Sequence, residues 1–408
     1  MKDIISRFIR YAKIDTMSEE GYDTTPSTEK QFNLARLLID ELREMGAEDV
    51  YLDEKLCYVY ARIPSNISRK VPCIGFVAHM DTSCAVSGEN VNPIITENYD
   101  GNDIKLGSSG LVLSPSAFPK LLDYKGKTII STDGTTLLGG DDKAGIAIIM
   151  ELAKYITEHK DFQHGDISIC FTPDEEVGMG VSGFDYKIFA ADFAYTLDGE
   201  EIGTCDYECF NAANAGVTIN GVSMHPGYSK GKMKNATRIA MEFDSLLPKA
   251  ESPEYTELYE GFYHITGIQS HCEKAEMSYI IRDHSAEKFD EKKALFLSAA
   301  EFINKKYGPN TAVVDMKDCY RNMKEIIEKN FHLVDNAKKA YEMCGVALLP
   351  PYPVRGGTDG ATLSRNGLPC PNLGTGDANC HGRYEYVCAD DMETMVTVCR
   401  NILELYAK

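Results

Sequence analysis

"VPCIGFVAHMDTS", residues 71–83, opens as an apolar, β-branched run and ends on a histidine and an aspartate two positions apart. Such a run reads as an interior strand of a parallel sheet, covered on both faces. Side chains two apart share a strand face, so Val77, His79 and Asp81 are expected on one side. An imidazole with a carboxylate beside it is either a catalytic pair or a metal ligand with the group that orients it. The strand alone leaves both open.

Around this strand, helical and extended patterns alternate. "STEKQFNLARLLIDELREMG" (27–46) carries apolar residues at helical spacing, opens with a capping box at Thr28 and Gln31, and stops at Gly46. "VYLDEKLCYVYARI" (50–63) reads as a strand or hairpin. "KTIISTDG" precedes the strongly periodic "DDKAGIAIIMELAKYITEH" (141–159), and "DISICFTPDEE" and "ADFAYTLDG" are two further strand-like runs. The alternation predicts an α/β sheet. After about residue 209 the order becomes β-α-β-β-α-β, the split pattern of a ferredoxin-like module. The expected organisation is a discontinuous catalytic domain, 1–208 and 320–408, interrupted by a smaller α+β domain at 209–319.

At 408 residues, 43% hydrophobic and 25% charged, the chain has the composition of a globular protein with room for two domains. A net charge of −20 argues against nucleic acid or an anionic membrane as the main partner. "MKDIISRFIRYAKI" has helical spacing interrupted by charges, which is not the pattern of a signal peptide, and no apolar run is long enough to cross a bilayer. The 13 cysteines lack paired zinc-ribbon spacing; "CDYEC" (Cys205, Cys209) has no second pair to complete a site. A reducing cytoplasm is the expected setting.

Acid–base and metal-friendly residues gather at the ends of strand-like segments, where open α/β sheets bind ligands. His79 and Asp81 end one strand, Asp141 lies in "LLGGDDKAG", and Glu175 and Glu176 lie in "TPDEEVG". Asp198 ends "AYTLDG" and His381 sits in "GTGDANCHGRYE". Each has a plainer reading: Asp141 as a helix cap, Glu175–Glu176 as a solvated turn, Asp198–Gly199 as a turn dipeptide, His381 as a loop histidine. Spacing alone leaves these alternatives standing.

"HMDT", "GGDDKAG", "TPDEEVG", "YTLDG", "VSMHPG" and "RGGTDGA" follow one another in an order that resembles the M20 family of metallopeptidases. "YIIRD", "GLPCPNL" and "HGRYEYV" are similar to its tripeptide-cleaving aminopeptidases, and the likeness covers nearly the whole chain. The resemblance implies a zinc-exopeptidase-like catalytic domain with a mixed or parallel sheet, plus an inserted lid or dimerisation domain. It implies two zinc ions per subunit, replaceable by cobalt or manganese in vitro. His79 and Asp198 would hold one ion, Glu176 and His381 the other, with Asp141 bridging and a cis peptide between Asp141 and Asp142. Two imidazoles and three carboxylates suit such ions chemically.

On this reading Asp81 accepts the remaining ring proton of His79. Glu175, beside a ligand but not one itself, is the general base. His225 in "VSMHPG" would stabilise the oxyanion, in relatives often from the other subunit of a dimer. Arg355 and Arg282 would pair with a peptide's terminal carboxylate, Arg282 equally being a structural ion-pair partner. The implied activity is release of the N-terminal residue from tripeptides; the rival is another M20 exopeptidase or deacylase, such as a dipeptidase or N-acyl amino acid hydrolase. A peptide-binding protein on a degenerate hydrolase fold would lack a ligand or the base, and none is missing. Small peptides are the expected partners, with a homodimer through the inserted domain. Two stretches depart from the family pattern: "GGDDKAG", where relatives more often carry alanine before the aspartates, and "GTGDANCHGRYE". Neither removes a ligand.

Overall fold

Within residues 71–83 the chain forms a strand, Ile74–His79, with every residue buried. Continuous burial is what a strand with neighbours on both edges and helices on its faces demands. It pairs in parallel with Ile167–Thr172 on one side and Phe193–Gly199 on the other. The computed structural model describes residues 1–22, 24–351 and 353–408, and among these the central sheet has seven strands. Their order is Glu48–Leu52, Val59–Ile63, Ile167–Thr172, Ile74–His79, Phe193–Gly199, Asn372–Gly374, Cys205–Asp206. The inner pairs are parallel and the flanking pairs antiparallel, so the sheet is mixed. Residues 50–63 are indeed a hairpin.

A parallel pair needs a crossover, and the helix Gly140–Glu158 lies in the one between Ile74–His79 and Ile167–Thr172. Its residues Ala144 and Ile146–Met150 are fully buried, and it packs on Ile74–His79 and Phe193–Gly199. Strand register then sets the chemistry. His79 pairs with Thr172, and Val77 with Thr196, so the residues just past each strand emerge at one end of the sheet. Glu175 and Glu176 follow one of these strands, and Asp198 is the last residue but one of another.

The helix Gln31–Met45 stops at Gly46, whose φ of 82° suits glycine. The expected capping box does not form. The Thr28 hydroxyl donates to the Met17 carbonyl at 2.8 Å, and the Gln31 amide donates to Asp174 at 2.7 Å, a partner 143 residues away. A long-range carboxylate outcompetes the local bond that sequence spacing suggested.

The chain divides into two compact units, Met1–Tyr207 with Ile326–Pro351 and Thr358–Lys408, and Glu208–Glu325 with Tyr352–Gly357. The second unit is an antiparallel four-stranded sheet in the order Phe262–Ser270, Lys274–Asp283, Asn211–Asn220, Ala312–Tyr320. The helices Ala236–Ser245 and Ala286–Tyr307 cover it through Phe243, Phe289, Phe296 and Ile303, which meet Val217, Met277 and Ile281. Among the described residues no helix is long and apolar enough to cross a membrane.

Candidate metal centre

The buried His79 ring is held from one side and presented to the other. Its Nδ1 lies 3.0 Å from the Asp81 backbone carbonyl and 3.3 Å from the Asp81 carboxylate. Both are acceptors, so the network assigns the proton to Nδ1 and turns Nε2 toward the cluster. Nε2 sits 2.8 Å from Asp141 Oδ1 and 3.4 Å from Asp198 Oδ1. The other oxygen of Asp141 lies 3.0 Å from His381 Nε2, which is also 3.0 Å from Glu176 Oε2. One aspartate therefore stands between two imidazoles that are 302 positions apart in sequence, with one oxygen facing each.

Asp81 offers the His79 ring two acceptors, its carboxylate and its backbone carbonyl. The closer acceptor for the His79 ring is the backbone carbonyl of Asp81. Its carboxylate accepts the backbone N–H groups of Glu175 at 3.0 Å and Glu176 at 3.2 Å. The strand ends at His79, so the same-face rule no longer governs Asp81, whose side chain turns to the 175–177 turn. Asp81 thus positions an acidic pair as well as an imidazole.

Asp141 is not a helix cap. The Asp141–Asp142 peptide is cis, and Asp142 does the capping: its carboxylate accepts the Gly145 N–H and the His79 N–H, both at 3.1 Å. Asp142 therefore ties the helix start to the strand end. Asp174, with φ 54°, is clamped by Ser27 and Gln31 immediately before Glu175. Asp359, in "RGGTDGA", is buried and accepts the Thr172 hydroxyl at 2.8 Å; burial pushes its pKa up to about 7. Local sequence gives no sign of these three, because their partners lie 63 to 187 residues away.

The cluster holds more negative charge than its surroundings can solvate. Burial, then the charge of Asp198, pushes the Glu175 carboxyl well above its ordinary range. Burial raises Asp198 to about 6 and also raises Glu176. Burial alone would lower the His79 pKa, but Asp198, Asp141 and Asp81 outweigh it and raise it well above normal. Hydrogen bonds to Asp141 and then Glu176 raise His381 to about 11. Burial would raise Asp141, yet bonds from His381 and His79 hold it well below the usual range. Carboxylates packed this closely call for positive charge among them.

Two overlapping donor sets have ligand atoms within 4.8 Å of one another: His79, Glu175 and Asp198, and His79, Asp141 and Glu176. Glu176 Oε1 is buried without a hydrogen-bond partner, an acceptor that a cation would satisfy. Imidazole nitrogens and carboxylate oxygens at this separation fit a metal cofactor.

The remaining site expectations fall in the second unit. His225 is exposed, and its Nδ1 accepts the Gly227 N–H at 3.2 Å. The Arg355 guanidinium donates to the carbonyls of Leu258, Glu260 and Thr256 and to the Thr256 hydroxyl, and lies over the Phe210 ring. Arg282 donates to the carbonyls of Ala213 and Ile281 and lies over Tyr320, a cation–π contact in place of an ion pair. Cys205 and Cys209 are buried, and neither belongs to a donor set among the described residues.

The mixed sheet, its crossover helix and the two imidazoles sharing one carboxylate form a candidate metal centre, and comparison with known proteins places the chain among the M20 peptidases. The family described as the peptidase dimerisation domain of that class matches residues 207–309. The chain is 53% identical over 409 residues to peptidase T of Clostridium acetobutylicum, covering all of both chains. It superposes on the crystal structure of aminopeptidase PepT from Bacillus cereus with a TM-score of 0.80 at 22% identity, covering 100% of this chain and 99% of that one. It also superposes on the Bacillus subtilis YXEP protein, a dinuclear metal-binding peptidase of the M20 family. There the TM-score is 0.65 at 13% identity, covering 99% and 97%. This chain belongs to the peptidase T family.

Proposed function

We propose that the chain is a tripeptide aminopeptidase that hydrolyses the first peptide bond of an unblocked tripeptide at a two-zinc centre. In this reading His79 and Asp198 hold one ion, Glu176 and His381 the other, and Asp141 bridges. The observation that carries it is the placement of the two Asp141 oxygens, one 2.8 Å from His79 and the other 3.0 Å from His381. The tripeptide preference is supported by full-length identity to peptidase T.

Ions bound there supply Lewis acidity, polarising the scissile carbonyl and making water a better nucleophile near neutral pH. The side chains do the rest. Glu175 takes a proton from the attacking water and passes it to the leaving amine. Asp81 holds the backbone of Glu175 and Glu176 so that base and ligand keep a fixed spacing. His225 is assigned as oxyanion donor: Nδ1 already accepts from Gly227, which leaves the ring proton on Nε2. The arginines are less suited to carboxylate recognition in this conformation, since Arg355 in particular spends its donors on backbone carbonyls.

A homodimer through the inserted region is supported by the family match at 207–309, and thirteen unpaired cysteines support a reducing, cytoplasmic setting. The deciding experiment combines metal analysis with product identification on tri-, di- and tetrapeptides and N-acyl amino acids. Two zinc ions per chain and a free N-terminal residue from the tripeptide are expected. Preferential cleavage of blocked N-termini would overturn the reading in favour of a deacylase.

A further inference from the structure

Behind the bridging aspartate lies a buried carboxylate that the mechanism does not use. Glu385, 1% exposed, follows His381 by four residues. Its Oε2 accepts the N–H groups of Leu138 at 2.6 Å and Gly139 at 3.0 Å, and its Oε1 accepts those of Gly140 at 2.6 Å and Asp141 at 3.3 Å. Four successive amides at the start of a long helix make a concavity that ordinarily takes an external anion. Here the chain fills it with its own side chain. The fit is close, since a Cβ on Gly140 would lie 3.2 Å from Glu385 Oε1 and 2.6 Å from Val387 Cγ2. The loop carrying Glu385 is itself fixed, its carbonyl accepting the Thr132 N–H at 3.3 Å and the neighbouring Tyr384 carbonyl accepting the Asn379 amide at 3.1 Å.

The two loops that Glu385 joins carry Asp141 and His381, whose side chains meet 240 residues apart in sequence. We propose that Glu385 is a positioning residue of the metal centre, locking the Asp141 loop to the His381 loop and thereby setting the affinity for both ions. The inference rests on the ligand assignment proposed above. It explains why a glutamate stands there: a glutamine would turn an NH₂ group toward two of the four amides, donor against donor.

The test uses metal-free full-length chain, wild type and the variants Glu385→Gln, Glu385→Asp and Asp141→Ala. Zinc affinity is read by competition with a chelating dye, cobalt coordination by visible absorption, and folding by circular dichroism before metal is added. Glu385→Gln is expected to be folded and to bind zinc about 10–100-fold more weakly, with a shifted cobalt spectrum, as loss of a group orienting a ligand does. Glu385→Asp is expected to recover part of both. A merely structural role would lower the melting temperature while leaving the affinity and spectrum of the folded protein unchanged, and that result overturns the proposal. Should Glu385→Gln not fold, Glu385→Asp decides: weakened binding supports the proposal and wild-type binding overturns it. If Asp141→Ala binds two ions like the wild type, the ligand assignment has failed. If it loses them while both Glu385 variants do not, only this inference has.

Discussion

Residue by residue, the centre is a set of carboxylates with different tasks imposed by their surroundings. Glu175 and Glu176 are neighbours in sequence, yet only Glu176 pairs with His381, while Glu175 groups with His79 and Asp198. Since the five ligands assigned above exclude Glu175, Glu175→Gln is expected to retain both ions and lose activity by about 10²-fold or more, the usual worth of a positioned proton carrier. Metal content measured beside kcat checks it; loss of an ion would make Glu175 a ligand instead. Asp81→Ala should act differently, because it strands the backbone amides of both glutamates and removes an acceptor near His79. It should weaken metal binding by about 10–100-fold and cost about 1–3 kcal/mol of stability for the unpaired groups. Equilibrium dialysis and urea denaturation measure the two effects separately. His79, Asp141, Glu176, Asp198 and His381 stand out in the sequence as metal-friendly residue types, each with a plain alternative, and their convergence is a property of the fold. Asp142, Asp174 and Asp359 were not legible, because their partners lie 63 to 187 residues away.

Among the elements, the long crossover helix does most to hold the centre together. It begins at the metal-facing loop, and its first turn approaches the Phe193–Gly199 strand so closely that a Cβ on Gly145 would lie 2.0 Å from the Leu197 carbonyl oxygen. Gly145→Ala should force that helix off its strand, destabilising the protein by about 1–3 kcal/mol. Because Asp142 caps the same turn and binds the His79 backbone, it should also lower metal affinity. An unchanged denaturation midpoint would show that the helix can shift freely. The helix itself was readable from its period, and so were the strands beside it. The capping box at Thr28 and Gln31 was not, since Asp174, 143 residues away, claims the glutamine.

For the whole molecule, stability and metal binding are linked through the acidic cluster. Without ions, the imidazoles supply its positive charge. The folded pKa of His381, about 11, lies above its ordinary 6.5, so its contribution is complete below pH 6.5 and fades as pH rises toward 11. Asp198, raised from 3.8 to about 6, acts with the same sign over that lower window, while the depressed Asp141 contributes above 3.8 and is lost only in acid. Chelated protein should therefore lose stability between pH 7 and about pH 10, whereas protein loaded with ions, which replace those protons, should lose much less. At ion concentrations near 100 times Kd the loaded form should gain about 2.7 kcal/mol per site. Denaturation curves at both pH values, with and without chelator, give the comparison; equal slopes would separate the cluster from stability. The sequence by itself determined the α/β alternation and the ferredoxin-like order of the second unit, because hydrophobic period is a local property. Only the tertiary structure decided that Asp141 stands between the two imidazoles, that Asp142 caps the helix and which amides Glu385 gathers. Those choices are made by strand register and by contacts between segments hundreds of residues apart, and no local pattern records them.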